Sequence, residues 1–424
     1  MTLFRNLRTL AGVSALTMVA MACGGTGGGS ASGSGSGSSA SKGDITIASD
    51  LPTSGADASS GLPAQNGVSF AVTSKKTIEG FTLKFKPFDD TVNGVHDPQK
   101  GTQNVQQMLS DNSILGMVGP FNSNVARAEI PVANQGALAM VSPSNTNECL
   151  TQTFDYCNPK PAALRPTGKN NYFRLAAPDT FQGPAMADYA YDTLKITKVA
   201  VFSDNETFGK QVADNFANEF KKKGGTVVKR QDFDWKSTND FKPFLTSAKD
   251  AGAQGIYAGA TSATKGCIPR SQMGSIFTTD IFYMGPDGIG DDQCIKDSGT
   301  TQANDKMFST VAAADANQNA DAKPIIADFH KAFPNKADEA AYTFPAYDCA
   351  AILIDAIGRA IKANGGKMPS RQQVVDALAT TSGFKGLTGT YTMDKNGDPT
   401  TPTMAIFQVK GGAWTFVKQF GVGG

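Results

Sequence analysis

Two short segments concentrate residues able to hold an anion. Residues 119–124 read GPFNSN and residues 142–147 read SPSNTN, each directly after a short apolar run, Leu115 to Val118 and Ala137 to Val141. Both runs read as buried strands, and each loop leads toward a helix. At a helix start the first backbone N–H groups lack intrahelical partners and point outward. Side by side, the two loops make a carboxylate cradle in which Ser123 and Thr146 donate hydroxyls and the backbone donates amides. Ser, Asn and Thr also serve as plain N-caps and turn formers, so both roles stay open at this point. Phe181 and Phe208 suit either a pocket wall or the core.

Catalytic and metal-binding patterns are missing. The chain has only His96 and His330, no H-E-x-x-H, no C-x-x-C, no G-x-S-x-G and no G-x-x-x-x-G-K-[ST]. Zinc sites, nucleophile elbows and phosphate loops need those spacings. Asp394 to Asp398 imitates the start of a calcium loop, but its twelfth position is Ala405 rather than a bidentate acid. A turn is the better reading, and no metal or cofactor is expected.

The elements that must position these loops alternate strand and helix. Phe81, Leu83 and Phe85 alternate with Thr82, Lys84 and Lys86, the period of a strand. Asp97-Pro98 supplies an N-cap and a first-turn proline, and Val105, Met108 and Leu109 follow at helical spacing. The rhythm returns at Val199 to Phe202, with a helix over Phe208 to Lys223 and a strand over Thr226 to Lys229. Asn239 is placed as the cap of a helix carrying Phe241, Phe244, Leu245 and Ala248. Ile256 to Ala258 and Ile281 to Met284 read as strands, Pro345 to Ala363 as a long helix, and Ser370 to Gln373 as a capping box. Repeated β–α units imply mostly parallel sheets flanked by helices. Such sheets bind ligands at the carboxyl ends of their strands.

In that order and spacing the chain resembles the type I periplasmic-binding fold, and within it the branched-chain amino acid (leucine/isoleucine/valine) binding family. The landmarks are Pro52-Thr53-Ser54-Gly55, Asp89-Asp90, Asp97-Pro98, GPFNSN, SPSNTN, PDTFQGP at 178–184, GIYAGAT at 255–261, MGPDG at 284–288 and DKNGD at 394–398. The resemblance implies a two-lobed α/β architecture that closes around its ligand like a flytrap, with three hinge crossings near Ala177, Ala312 and Tyr391. Lobe one would combine 44–178 with 313–390, and lobe two 179–312 with 391–424. It places the ligand α-carboxylate on Ser123, Thr146 and the Ser144 backbone, and the ammonium on Asp179 and Asp287. A common family acid one methylene longer is replaced by Asp287. Thr261 and Phe208 stand where the family carries tyrosines, so the side-chain pocket is altered. Asp179 also suits a helix cap, and Asp287 a turn.

Outside that body, Arg5 and Arg8 precede an apolar run from Leu10 to Ala22, and Ala20-Met21-Ala22 precedes Cys23. That order reads as a secretory signal over 1–22 with a lipid-bearing Cys23; ordinary cleavage leaving a free Cys23 is the alternative. The Gly/Ser-rich segment to Gly43 reads as a tether with a reach of roughly 25 Å. An exported, membrane-anchored protein on the extracytoplasmic face (periplasm or cell surface) is expected. Its implied partners are a small ligand, presumed an L-amino acid, and the permease and ATPase subunits of an ABC importer. A receptor for amides, aromatic acids or other small carboxylates feeding a transporter or sensor kinase is the alternative. With 39 basic and 38 acidic residues, the chain has no basic field for nucleic acid. In an exported chain the cysteines read as disulfides, with Cys149–Cys157 and Cys267–Cys294 expected as pairs. Cys349, on an apolar helical face with Ala346, Ile352 and Leu353, is expected as a buried free thiol.

Overall fold

The computed structural model describes residues 41–299 and 304–422. The expected signal, Cys23 and most of the tether lie outside the described residues. Among the described residues no helix is long and apolar enough to cross a membrane.

The chain begins with β1 (Asp44–Leu51), α1 (Ala58–Lys75), β2 (Thr77–Ile78), β3 (Phe81–Asp89), α2 (Pro98–Ser110), β4 (Ile114–Val118), α3 (Ser123–Gln135), β5 (Ala139–Ser142) and β6 (Tyr172–Arg174). These strands form one sheet in the order β2-β3-β1-β4-β5-β6, parallel except for β2 against β3. The cap expected before α2 is present: the Asp97 side chain accepts from Lys100 N at 2.7 Å, with Pro98 in the first turn.

A second body follows with α4 (Asp179–Asp188), β7 (Lys198–Ser203), α5 (Thr207–Lys222), β8 (Thr226–Asp232), α6 (Lys242–Asp250), β9 (Gly255–Gly259), α7 (Ile268–Met273), β10 (Phe282–Gly285), α8 (Asp292–Ser298) and β11 (Met307–Val311). The chain then returns to the first sheet as α9 (Lys323–Ala332), α10 (Thr343–Ala363) and α11 (Arg371–Ala379). It ends in β12 (Thr403–Lys410) and β13 (Ala413–Gly421). The second sheet runs β8-β7-β9-β10-β11-β12-β13, with the last two strands antiparallel. This is a two-lobed α/β fold.

Each sheet is covered on both faces, which is why its strands read as apolar runs. Ile45, Ile47 and Leu51 pack with Val68 of α1, Leu353 and Ile357 of α10 and Leu378 of α11. Ala48 and Met117 face Val105 and Met108 of α2 and Ile130 of α3. In the second lobe Phe202, Phe244 and Ile256 form one core, while Val201, Phe216 and Tyr257 form the other. Cys149–Cys157 and Cys267–Cys294 are bonded, and Cys349 is a buried free thiol in the core around α10.

Two expectations need correction. Asn239 caps nothing: α6 starts at Lys242 behind Phe241, and the Asn239 side chain instead accepts from Lys265 Nζ at 2.8 Å. A cation within reach and a proline at the second helical position moved the start. The third crossing also lies later than Tyr391. Tyr391 and Met393 are buried in the core of the first lobe, and Asp398 is held at 2.7 Å by Arg174 at the end of β6. The chain leaves the first lobe between Asp398 and Thr403. The first two crossings run side by side, Ala177 N donating to Ala312 O at 2.9 Å.

Candidate functional site

The carboxyl ends of β4 and β5 carry the two loops, and hydrogen bonds stitch them together. Ser142 Oγ donates to Pro120 O at 2.7 Å and accepts from Asn145 N at 3.0 Å. Ser144 Oγ and Asn145 Nδ2 both donate to Phe121 O, at 2.9 and 2.7 Å. Gly119 opens the first loop with φ +127°, and a Cβ there would come within 2.3 Å of Asp50 O. Only glycine suits such a backbone and so close an approach. The result is a rigid edge, with Ser123 at the start of α3 and the Asn122 Oδ1 beside it buried and unpartnered.

Across from this edge stand loops of the second lobe. Phe121, Asn122, Ser123, Asn124 and Ser144 share a cleft with Phe208, Thr261, Asp287 and Gly288. Tyr342, from the loop before α10, lines its continuation and donates its hydroxyl to Asp287 Oδ2. Gln182 of α4 donates Nε2 to both Asp179 Oδ1 and Asp287 Oδ1, each at 2.9 Å. Phe208 lies so near Gly288 that a Cβ there would meet its ring at 2.8 Å.

Several bonds run directly from lobe to lobe. Asn147 Nδ2 donates to Thr207 O at 3.0 Å, Asn215 Nδ2 to Glu148 Oε1 at 2.9 Å, and Ser59 Oγ to Asp291 Oδ2 at 2.9 Å. The lobes are closed, and the cleft holds only about 30 Å³. That is room for a water or two, so an organic ligand enters only when the lobes part. A larger cavity of about 860 Å³ adjoins it at Gly290, Asp291, Ala340 and Ala341. Its lining of Leu62, Phe333, Phe344, Phe407 and Trp414 carries neither of the two stitched loops.

Of the residues singled out in the sequence, Ser123, Ser144, Phe208, Thr261 and Asp287 line the cleft. Thr146, Asp179 and Phe181 are not among its lining residues. Thr146 and Asp179 lie one layer back, fully buried, and Thr146 Oγ1 and Asp179 Oδ2 have no hydrogen-bond partner. The Ser144 backbone amide is already bonded to Ser142 Oγ at 3.3 Å. Thr261 packs locally, its hydroxyl 3.0 Å from that of Thr264. Burial, with Glu148 and Asp287 nearby, pushes the Asp179 carboxyl well above its ordinary pKa. Burial lifts Asp287 to about 6, less far because Tyr342 and Gln182 donate to it.

Sequence reasoning missed Gln182, Tyr342, His96, Asp204 and Glu206, which are in or beside the cleft. Gln182 carried a usable signal, since it stands one helical turn after Asp179. Tyr342 lies 55 residues from Asp287 in sequence, and only tertiary packing brings the two together.

Comparison with known proteins fits this geometry. The periplasmic binding protein family model matches residues 44–413. The "Leu/Ile/Val-binding protein homolog 3" of Brucella melitensis is 28% identical over 369 residues, covering 86% of this chain and 91% of that one. Among solved structures, the leucine binding protein LivK of Thermotoga maritima superposes with a TM-score of 0.74 at 24% identity, covering 89% of this chain and 98% of that one. LivJ of Streptococcus pneumoniae, in complex with isoleucine, gives 0.73 at 19%, covering 89% and 99%. A solute binding protein of R. palustris, in complex with benzoate, gives 0.71 at 18%, covering 89% and 96%. With a family match running from the first strand into the last, and a closed cleft between two parallel-sheet lobes, the chain belongs to the periplasmic binding protein family.

Proposed function

We propose that the chain is the extracytoplasmic solute-binding lipoprotein of an ABC importer, holding an amino acid or amino-acid-like ligand between its closing lobes. The observation that carries the ligand reading is the polarity of the cleft. Its first-lobe edge offers the hydroxyl and amide groups of Asn122, Ser123 and Asn124, and its second-lobe wall presents the Asp287 carboxylate. A zwitterion satisfies both: its carboxylate accepts from the donors and its ammonium pairs with Asp287. Charge-assisted hydrogen bonds of that kind are the strong ones.

A plain carboxylic acid would meet Asp287 with no lysine or arginine among the described lining residues to offset the repulsion. Ligand contact with both lobes favours the closed state by its differential affinity for it, and closure is a hinge motion. The permease and ATPase subunits receive the ligand, and a lipid on Cys23 with the tether behind it keeps the body near them. No reaction is assigned to the site.

Titration calorimetry on ligand-free protein tests this reading with amino acids and their deaminated acids. Amino acids are expected to bind and the deaminated acids to bind weakly. Asp287→Asn should weaken amino-acid binding at least tenfold, about 1.4 kcal/mol. Equal binding of the deaminated acid, or an Asn variant that binds unchanged, refutes it. N-terminal mass analysis of native protein tests the anchor: an unmodified Cys23 rules out lipidation.

A further inference from the structure

The cleft has a charge imbalance that amino-acid head-group binding does not use up. Asp57, Asp204, Glu206, Asp287 and Asp291 line it from the two lobes; against them stands one histidine, His96, and among the described lining residues there is no lysine or arginine. Some of these acids have structural work. Asp291 caps α8 through Cys294 N at 2.8 Å and takes the hydroxyls of Ser59, Ser60 and Ser262. Asp57 Oδ2 is shared between the backbone and ring nitrogens of His96, at 2.9 and 2.8 Å. The histidine therefore has its own carboxylate.

Asp204 and Glu206 remain. They stand in the loop between β7 and α5, beside Phe208. Asp204 accepts from Glu206 N at 3.0 Å and from the Thr264 hydroxyl at 2.6 Å. Glu206 accepts from Trp235 Nε1 at 2.9 Å and from Asn124 Nδ2 at 3.3 Å. Every one of these donors is neutral. Hydrogen bonds orient the two carboxylates, and among the described residues no cation is hydrogen-bonded to either. Burial lifts Asp204 to about 6. The one basic group near them among the described lining residues is His96, held above its ordinary pKa, against its burial, by Asp57 first and by these two acids as well. Among the described lining residues the apolar side chains are Phe121, Phe208, Ala340 and Ala341, with the Tyr342 ring beside them, too little to enclose a branched aliphatic side chain without pressing it on the acids.

On the amino-acid reading above, we infer that the ligand's side chain ends in a cation, an ammonium or a guanidinium, recognised by Glu206 and Asp204. A methylene stem would lie against Phe208 and Phe121, as long basic side chains cover apolar surface while their charged heads stay in a polar setting. An aliphatic side chain in the same place would strip water from carboxylates and return nothing for it. A cation replaces that water with charge-assisted bonds. This places the chain's specificity away from leucine, isoleucine and valine, and assigns the difference to the loop after β7.

Calorimetry on ligand-free protein with L-lysine, L-ornithine and L-arginine against L-norleucine and L-leucine tests it. Norleucine matches the lysine stem and lacks the terminal amine. At least one basic amino acid should bind tenfold or more tighter than norleucine. Glu206→Gln should cut that ratio at least fivefold, and its melting temperature reports whether it has folded. On the unaltered protein the basic ligand's affinity should also fall with added salt more steeply than norleucine's. Norleucine or leucine binding as tightly as all three basic ligands overturns the inference and leaves the amino-acid reading standing. If none of the five binds while another amino acid does, the inference falls and the amino-acid reading stands; if no amino acid binds, both fall.

Discussion

Replacing Arg174 by Met is the most demanding test of how the edge made by the two stitched loops is held. Arg174 is fully buried at the end of β6. Its Nε donates to Asp398 Oδ1 at 2.7 Å, its Nη1 to Asn147 O at 2.8 Å and Asn145 O at 3.2 Å, and its Nη2 to the Thr151 hydroxyl. One guanidinium thereby clamps the SPSNTN loop to the DKNGD turn. Methionine fills similar space but donates nothing. It leaves Asp398 charged and buried with only the Thr151 hydroxyl and the Gln152 amide, at 2.9 and 2.7 Å. Breaking a buried pair from one side costs about 3–5 kcal/mol, and chemical denaturation of ligand-free protein reads that loss. The double variant Arg174→Met/Asp398→Asn removes the stranded charge and should recover a large part of it. The pH dependence supplies an independent sign. Burial alone would raise the Asp398 pKa, yet Arg174 and the hydrogen bonds hold it below the ordinary aspartate value. The pair's contribution is therefore complete above the unfolded pKa and is lost as pH falls through the folded one. In the Met variant the carboxyl should be raised instead, and mild acid should stabilise. A single variant costing under about 1 kcal/mol, or a double variant no more stable than the single, refutes the clamp.

Three further outcomes are expected. Asp50, Asp90 and Glu129 form a fully buried cluster with several unpartnered oxygens, and burial lifts Asp50 to about 7 and the other two well above their ordinary values. Folded pKa values above the unfolded ones mean stability that is greatest below about pH 4 and declines as pH rises toward 7, so Glu129→Gln should raise the denaturation midpoint at pH 7.5 and flatten that decline; a lower midpoint refutes it. Because an ammonium needs Asp287 ionised, and burial sets that group at about 6, affinity measured by calorimetry should fall as pH drops below 6; affinity unchanged down to pH 5 counts against Asp287 as the ammonium partner. Cys267 and Cys294 lie 27 residues apart, and by loop-closure entropy Cys267→Ser/Cys294→Ser should lose about 3.5 kcal/mol in chemical denaturation; a loss below about 1 kcal/mol would mean the loop is already constrained without the bond.

What the sequence determined by itself was local and periodic. The apolar runs before GPFNSN and SPSNTN became β4 and β5, because strands covered on both faces must be apolar throughout. Asp97-Pro98 opened α2, and Ser370 with Gln373 closed the capping box of α11, because caps are contracts between residues three apart. The two disulfides and the buried Cys349 were legible from the parity and placement of the cysteines. The β–α order pointed to the strand ends as the place to look for a ligand, and GPFNSN and SPSNTN do follow the ends of β4 and β5.

Tertiary structure decided how deep each residue lies and what charge surrounds it. Asp179 and Thr146 went one layer behind the cleft, with Gln182 bonded to both Asp179 and Asp287. Tyr342 arrived from the other lobe to meet Asp287. Arg174 and Asp398, 224 residues apart, held the last turn on the first lobe and moved the third crossing past Tyr391. Glu206 and Asp204 read as a loop before α5 until closure set them in the same cleft as Ser123. Sequence spacing carries the short-range terms of the energy, hydrogen bonds along one element and the alternation of buried faces. Burial and Coulomb interaction depend on neighbours brought together through space, and those neighbours exist only once both lobes are folded and closed.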